Sequence, residues 1–263
     1  MDAAPRIAAI IPALNEEAAL PGVLSSLRDA PLDRVVVVDN GSTDRTAEVA
    51  RAGGAEVVSE PERGYGAACL AGIAHLAATE PPEVVVFLDG DQSDDPTALD
   101  SVLEPIRVDR ADFVVGSRGG RDGDRNAVPA HARLGNAIVL GLARLLHGTR
   151  FGDLGPFRAI RFDALQSLAM DDRNWGWTLQ MQLRAHHLGV RTEEVTVPHR
   201  PRAAGRSKVS GNLRGSLNAG AKMLFTIVRE RLRFFPGRRG KSAPDPETDP
   251  APPPVEGVPH RKG

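Results

Sequence analysis

The chain has 263 residues, of which 41% are hydrophobic and 25% are charged, and this length favours one large α/β domain with appendages over two full domains. The single cysteine, Cys69, excludes an internal disulfide, and no run approaches the roughly 18 consecutive apolar residues of a membrane-spanning helix. Because no cationic start leads into the apolar stretch of a signal peptide, we expect a cytoplasmic protein.

The first half of the chain alternates apolar runs with polar loops and helical patterns. The runs predict strands at Arg6 to Ile11, Arg34 to Val38, Glu56 to Ser59, from Val84 onward, and at Asp112 to Arg118. Helices are expected between them, and a further strand is expected near Val190 to Val197. Alternation with short connections indicates an α/β fold with a mostly parallel, doubly wound sheet that is flanked by helices.

Two acidic residues follow the apolar run of the fourth strand, and they are the centre of a candidate functional site. The apolar run from Val84 stops at Asp89 and Asp91, on either side of Gly90. Ligands of open α/β sheets bind at the carboxyl ends of strands, and oxygen ligands suit a hard divalent cation. The alternative is a turn whose aspartates cap a helix that starts near Pro96.

Polar side chains also follow the first two strands. Pro12 and Glu16 come after the first run and Asp39 after the second. Carboxylates accept hydrogen bonds from ribose hydroxyls and base N–H groups, so these residues are candidates for binding a nucleoside. Two other nucleotide motifs, at Gly64 to Cys69 and Gly240 to Ser242, depart from the dinucleotide and phosphate-loop patterns and are rejected.

Residues in the middle of the chain leave more than one interpretation open. Asp153 lies between Gly152 and Gly155 and is either a general base or a turn aspartate. Trp175 and Trp177 form a pocket wall or pack beneath a helix start. The histidines of this part, His131, His147, His186, His187 and His199, lack metal-ligand spacing and are expected at the surface or at caps.

Positive charge is concentrated in the C-terminal part of the chain. The stretch from Arg200 to Lys241 contains twelve Lys and Arg residues and one acidic residue, so it carries +11 and the remainder of the chain −12. Apolar residues recur at steps of four or three: Leu213, Leu217, Ala221, Leu224, Val228, Leu232 and Phe235. This pattern predicts a basic amphipathic helix over 211–235 at an anionic membrane interface, or one that packs on its own domain. Residues 236–263 are proline-rich and predicted to be disordered.

Several motifs together resemble a known family. The segments IIPALNEE, VVVVDNGSTDRT, FLDGDQSDDP and GSR resemble the nucleotide-binding half of a family 2 glycosyltransferase with the GT-A (Rossmann-like) fold. The segments DLGPFRAI, WGWTLQMQLRAHHLGV and EVTVPHRPRAAGRSKVSG are similar to the polyprenyl- or dolichyl-phosphate sugar synthase branch. The resemblance covers about Ile7 to Val228 and divides a domain over 1–210 into a nucleotide half, 1–118, and an acceptor half, 119–210.

The resemblance implies roles for individual residues. It implies that the nucleoside is contacted by Pro12, Leu14, Glu16 and Asp39, and that the donor diphosphate and Mg²⁺ or Mn²⁺ are contacted by Asp89, Gly90 and Asp91. It further implies that an acceptor phosphate is contacted by Arg118, Arg133, Arg202 and Ser207. The candidate catalytic residues are Asp91, Asp153 and Arg202.

Two positions depart from the pattern of the branch. Relatives often carry a metal-contacting Gln where this chain has Ser93, with Gln92 one residue early, so a third protein ligand for the metal is missing from the motif. Many relatives have Glu where this chain has Gln180, which is unable to act as a base.

These observations predict an inverting hexosyltransferase. The expected donor is GDP-mannose or UDP-glucose, and the expected acceptor is a polyprenyl phosphate at the inner face of the cell membrane, where the enzyme is peripheral. A phosphate oxygen is already ionised at pH 7 and needs no base. The nearest alternative is a glycosyltransferase for a soluble or glycan hydroxyl, which requires a base such as Asp153. A non-catalytic nucleic-acid binder is the second alternative; buried strands that end in acids argue against it, and we expect no nucleic-acid partner.

Overall fold

A seven-stranded sheet forms the centre of the molecule. The computed structural model describes residues 5–118, 130–202 and 213–235, and all statements on structure below concern these residues. The strands are β1 (Ile7–Ala13), β2 (Arg34–Asp39), β3 (Glu56–Ser59), β4 (Val84–Phe87), β5 (Phe113–Ser117), β6 (Arg158–Arg161) and β7 (Thr192–Thr196). Each of the strands expected from the sequence is present, within two residues at either end for those with predicted bounds.

The strand order confirms a mostly parallel sheet. The order is β3-β2-β1-β4-β6-β5-β7, and only β6 runs antiparallel to its neighbours among the described strands. The sequence pattern did not predict β6. Its four residues, Arg158–Arg161, begin and end with arginine, so the segment lacks the apolar run that marks the other central strands.

Helices cover both faces of the sheet. They are α1 (Leu20–Ser26), α2 (Thr46–Ala52), α3 (Tyr65–Ala78), α4 (Leu99–Arg107), α5 (Ala130–His147), α6 (Phe162–Ser167), α7 (Trp177–Leu188) and α8 (Leu213–Arg233). Residues of α1 and α4 share one hydrophobic cluster, and residues of α3, α6 and α7 share the other. Strand β4 contributes Val84 and Val86 to the first cluster and Val85 and Phe87 to the second. A strand buried on both faces needs an apolar residue at every position, which explains the continuous run.

The C-terminal helix α8 packs on α5 and α7. Ile227 of α8 joins a third cluster with Val139 of α5 and Leu183 of α7. A buried ion pair joins Arg184 Nε of α7 to Glu230 Oε2 of α8 at 3.0 Å. The predicted amphipathic stripe lies on a different side of α8, because Leu224, Val228, Leu232 and Phe235 are exposed.

The helix prediction over 211–235 therefore holds for Leu213–Arg233, whereas its membrane role and the domain boundaries stay predictions. The tail predicted over 236–263 lies outside the described residues. None of the helices in the described ranges combines the length and apolarity that crossing a bilayer requires.

Candidate active site

The carboxyl ends of β1, β2 and β4 meet at one edge of the sheet. Strand β1 pairs in parallel with β2 and with β4, and Ala13 at its end lies opposite Asp39. The loops that follow these three strands are therefore neighbours, although the strands end at Ala13, Asp39 and Phe87, far apart in the chain. This edge collects the acidic residues that the sequence singled out.

The loop after β4 is organised by its own carboxylates. The backbone N–H of Asp89 donates to Asp94 Oδ2 at 3.0 Å, and that of Ser93 donates to Asp91 Oδ1 at 2.8 Å. Asp95 caps the 3-10 turn that begins at Pro96 by accepting from the Thr97 backbone N–H at 3.1 Å. The capping interpretation thus applies to Asp95, and Asp91 Oδ1 orders the turn before it.

Burial of several acids in this loop makes it a site for positive charge. Burial, and then the charges of Asp91 and Asp94, raise the pKa of Asp89 well above its usual range. Burial likewise raises the pKa of Asp94 to about 6. A carboxylate cluster that resists ionisation fits a divalent cation, which would offset the repulsion with oxygen ligands. Among the described residues, however, no three His, Cys, Asp or Glu side chains are arranged to hold one metal ion.

Gln92 does not supply the missing ligand. Its backbone has a positive φ of 64°, and its side-chain Nε2 donates to the carbonyl oxygen of Ala19 at 2.7 Å. A Cβ atom at Gly22 would lie only 1.9 Å from that Nε2, so a larger residue there would displace the end of the Gln92 side chain. The Gln92 side chain therefore fastens the acidic loop to the start of α1.

The predicted nucleoside residues lie beside this loop. Pro12 and Leu14 are partly buried at the end of β1, and Glu16 is buried just beyond them. Glu16 is positioned through its backbone N–H, which donates to the Thr46 hydroxyl at 2.8 Å. Asp39 Oδ1 accepts from the Ser42 backbone N–H at 3.1 Å. The structure brings these residues together with Asp91; their contact with a nucleoside stays a prediction.

Arg202 lies against the donor carboxylates. Its guanidinium bridges Glu16 Oε1 at 2.6 Å and Asp91 Oδ2 at 3.0 Å. The sequence placed Arg202 on an acceptor phosphate, whereas here it neutralises two acids of the predicted donor site. A cation on Asp91 would have to displace this guanidinium, because both need the same carboxylate.

Asp153 is held by Arg118 in a two-pronged ion pair. Arg118 Nε lies 2.7 Å from Asp153 Oδ2, and Arg118 Nη2 donates to Oδ1 at 2.8 Å. The backbone N–H groups of Arg118 and Leu154 also donate to this carboxylate, at 2.9 and 2.7 Å. Burial alone would raise the pKa of Asp153, but the Arg118 hydrogen bond and charge outweigh it and lower the pKa. A carboxylate with this low basicity and this many donors is a poor proton acceptor.

Two further residues were predicted to contact the acceptor phosphate. Arg133 is exposed in the first part of α5, and Ser207 lies outside the described residues. Their contact with an acceptor phosphate stays a prediction.

Three residues of the site were missed from the sequence. The expectation that His199 lies at the surface or at a cap is wrong, because its side chain is 10% exposed and lies beside Asp94. Arg200 pairs with Asp95. Asp94 itself was not singled out. The sequence offered one signal for these three residues: His199 and Arg200 lie close to Arg202 in the chain, and Asp94 lies close to Asp91. His147 is also buried, with its Nε2 near the Ile227 carbonyl oxygen at 3.0 Å.

Trp177 and Gln180 serve packing. Trp177 is fully buried at the start of α7 and packs edge-on against Phe87, with 4.9 Å between ring centroids. Trp177 therefore packs beneath the start of a helix, which is one of the two predicted roles. Trp175 is partly exposed. Gln180 is buried and donates from Nε2 to Glu230 Oε1 at 2.8 Å, so it helps to fasten α8.

Comparisons with known proteins agree with this geometry. The model of the family described as Glycosyl transferase family 2 matches residues 8–169. An undecaprenyl-phosphate mannosyltransferase of Micrococcus luteus is 33% identical over 80% of this chain and 90% of its own length. A dolichyl-phosphate hexose transferase of Haloferax volcanii is 32% identical over 87% of this chain and 96% of its own length.

Solved structures show the same fold. Glucosyl-3-phosphoglycerate synthase of Mycobacterium tuberculosis in complex with UDP superimposes with a TM-score of 0.68 at 26% identity, over 86% of this chain and 80% of that chain. The same enzyme in complex with Mg²⁺ and UDP gives a TM-score of 0.67 at 25% identity, over 86% of this chain and 79% of that one. The family match, the order of the strands and the likeness to solved structures lead to the same conclusion. The chain is a member of glycosyltransferase family 2, with a fold of the GT-A type.

Proposed function

We propose that this glycosyltransferase moves a hexose from GDP-mannose or UDP-glucose to a polyprenyl phosphate, with inversion at the anomeric carbon. The observation that carries the proposal is the pairing of Asp153 with Arg118, in which Arg118 Nε lies 2.7 Å from Asp153 Oδ2. This pairing supports the proposal because it lowers the basicity of Asp153, the base that the sequence offered for a hydroxyl acceptor. An acceptor phosphate is already ionised and attacks without losing a proton.

The donor side of the reaction would use the acidic loop. Asp89 and Asp91 would hold Mg²⁺ or Mn²⁺, which supplies positive charge where the departing diphosphate gathers negative charge. Glu16 and Asp39 would accept hydrogen bonds from the nucleoside at the ends of β1 and β2. Burial and the charges of its acidic neighbours raise the pKa of Asp89. A bound cation would stabilise the ionised carboxylate, which supports this use.

The acceptor side would receive a lipid at a membrane surface. Helix α8 exposes Leu224, Phe225, Val228 and Leu232, and α5 exposes Ile138 and Leu145. Several basic side chains of α8 are engaged with acids of the domain, as in the pair of Lys222 and Asp172 at 3.2 Å. The exposed apolar side chains therefore support interfacial binding more directly than the net charge does. We propose that the enzyme is peripheral to the cytoplasmic face of the membrane.

A hydroxyl acceptor is the second candidate. The likeness to glucosyl-3-phosphoglycerate synthase, a name that indicates a small acceptor, favours it. In that case Asp94, whose pKa burial raises to about 6, is a carboxylate with the basicity to accept a proton. The two polyprenyl- and dolichyl-phosphate relatives named above favour the lipid phosphate.

An acceptor assay separates the candidates. The full chain is incubated with radiolabelled GDP-mannose, UDP-glucose and other nucleotide sugars, each with polyprenyl phosphate or with 3-phosphoglycerate, and the lipid is extracted. The proposal expects label in the lipid fraction as a product that mild acid releases. Label confined to a water-soluble product would overturn the lipid acceptor and leave the family assignment intact.

A variant at Asp153 tests the same point through the chemistry. Asp153→Asn should retain activity within about tenfold of the wild-type rate, because no proton is removed from the nucleophile. A positioned base would be worth about a hundredfold or more. The variant must first show an unchanged melting temperature, since Asp153 also orders Leu154 through a 2.7 Å hydrogen bond.

Liposome binding tests the membrane part. A variant with Leu224, Val228 and Leu232 changed to serine should sediment less with anionic liposomes than the wild type does. All three side chains are exposed, so the packing of α8 through Ile227 is kept. The matched control changes Val108 and Leu188, two exposed apolar residues elsewhere, to serine. Equal sedimentation of both variants and the wild type would remove the interfacial role of α8.

A further inference from the structure

Asn40 joins the loops around the predicted nucleoside residues. It directly follows Asp39 at the end of β2, and it is buried. Its backbone N–H donates to the Ala13 carbonyl oxygen at 2.8 Å, which fastens it to the end of β1. Its side chain makes three hydrogen bonds of 2.7 to 3.1 Å with backbone groups of the segment 60–64, namely the carbonyl oxygens of Glu60 and Glu62 and the N–H of Gly64. The position of this segment and that of Asp39 are therefore linked.

The loop 171–174, between α6 and α7, packs against the segment 60–64. Arg173 Nε donates to Glu62 Oε1 at 2.6 Å, and the Arg173 carbonyl oxygen accepts from a backbone N–H of α3 at 2.9 Å. A Cβ atom at Gly64 would lie 2.1 Å from that carbonyl oxygen, so the two backbones approach each other closely. Because the side chains of the ion pair are about half exposed, the backbone contacts carry most of this link.

Helix α8 holds the same loop through Asp172. This aspartate is buried, and its Oδ2 lies 3.2 Å from Lys222 Nζ and accepts from the Thr226 hydroxyl at 3.4 Å. Its Oδ1 accepts from the Asn174 N–H at 2.8 Å, so one carboxylate both orders the loop and attaches it to α8. A buried carboxylate depends on such partners, because an unpaired charge away from water is costly.

We propose that Asp172 is a positioning residue for nucleotide binding, through which α8 holds the edge of the site around Asp39. The inference rests on the proposed contact of Asp39 with the nucleoside. The loop and α8 lie beyond residues 8–169, so this contribution comes from outside the part of the chain that the family model matches. Local opening of α8 would free the loop, and nucleotide binding and the docking of α8 are therefore coupled in both directions.

Loss of the attachment to α8 should weaken nucleotide binding and leave the chemical step unchanged. Lys222→Met keeps the length of the side chain and removes its charge, and Thr226→Val keeps the shape and removes the hydroxyl. Each should raise the dissociation constant of UDP or GDP, whichever the wild type binds, about fivefold. The transfer rate at saturating donor should change little, because only binding is affected. Thr226→Ser keeps the hydroxyl and should keep the wild-type affinity.

Hydrogen exchange of the full chain measures the coupling from the side of α8. In the wild type, the nucleotide should slow the exchange of backbone N–H groups over residues 222–233, and this protection should be weaker in Lys222→Met. Ile106→Val is the control for a general loss of stability, because Ile106 is buried in the cluster that α1 and α4 share. It should leave the nucleotide dissociation constant and the protection of α8 unchanged.

The results with Asp39→Ala separate this inference from the proposed function. If Asp39→Ala weakens nucleotide binding while Lys222→Met and Thr226→Val do not, the nucleoside contact stands and the positioning role is overturned. Equal weakening by Ile106→Val would show an effect of stability alone and would overturn it as well. Both the contact and the inference fall if the wild type binds neither nucleotide, or if Asp39→Ala leaves binding unchanged. If Lys222→Met does not fold, the comparison of Thr226→Val with Thr226→Ser decides the question.

Discussion

The two sides of the site differ in how their charged groups are held. On the donor side, Asp39 ends β2 and Asp89 lies just after β4, and local hydrogen bonds order both turns: Asp39 accepts from the Ser42 N–H, and the Asp89 N–H donates to Asp94. On the other side, Arg118 and Arg202 are held by carboxylates that lie far away in sequence: Asp153 is 35 residues from Arg118, and Glu16 is 186 residues from Arg202.

This difference indicates what ligand binding must change. The donor side concentrates negative charge, and Arg202 neutralises part of it. Arg118 remains committed to Asp153 and orders the loop around Leu154. Binding of a cation and a diphosphate would therefore exchange one positive group for another at Asp91, while the Arg118 pair is kept. The following variants test this contrast.

The largest effect is expected at Asp91. Asp91→Asn should reduce transfer by about a thousandfold or more, because it removes a metal-bound charge where diphosphate charge develops. Steady-state rates with saturating donor measure this loss. Asp100→Asn, on an exposed aspartate of α4, serves as the control. Retention of most of the wild-type rate by Asp91→Asn would remove the metal from the donor side.

Replacing Arg202 should strengthen metal binding in the absence of donor. Arg202→Met should bind Mn²⁺ about tenfold more tightly, because a charge-assisted hydrogen bond worth about 1.5 kcal/mol no longer competes for Asp91. Titration followed by the electron paramagnetic resonance of free Mn²⁺ gives the affinity. Arg200→Met is the matched control, since Arg200 pairs with Asp95 and leaves Asp91 alone. Equal tightening in both variants would indicate a general charge effect rather than displacement of Arg202.

A smaller effect is expected at Asp39. Asp39→Ala should weaken nucleotide-sugar binding about fivefold, the value of one net hydrogen bond of about 1 kcal/mol. The transfer rate at saturating donor should change little, which calorimetric donor titration and kinetics measure together. Because Asp39 Oδ1 also accepts from the Ser42 N–H, Ser42→Ala, which keeps that N–H, controls for the side chain of the turn. An unchanged donor dissociation constant would show that Asp39 does not face the nucleoside.

The smallest effect concerns pH and the packing of α8. Burial, and then the charges of His147 and His186, lower the pKa of His187 from 6.5 to about 4. The unfolded state therefore binds more protons between these values, and stability should fall as the pH drops from about 6.5 toward 4. Urea midpoints measured at pH 7 and pH 5 test the direction. His187→Gln should flatten this part of the profile, and a wild-type midpoint that rises on acidification would contradict the prediction.

Much of the fold was predictable because its signals are local. Buried parallel strands need consecutive apolar residues, and the runs ending at Ala13, Asp39 and Phe87 show this directly. The acids at the strand ends could be assigned to one edge from the alternation of strands and helices alone. Strand β6 escaped prediction because its central place depends on pairing with β4 and β5, and its own four residues include two arginines.

By itself, the sequence determined the α/β class, the mostly parallel sheet and the set of acids at its edge. Only the tertiary structure decided that Asp153 is paired, that Arg202 covers Asp91, and that His199 lies partly buried beside Asp94. The physical reason is the range of the interactions. A strand and the turn after it are specified by neighbouring residues, whereas the protonation and availability of a charged side chain depend on partners that folding brings from distant parts of the chain.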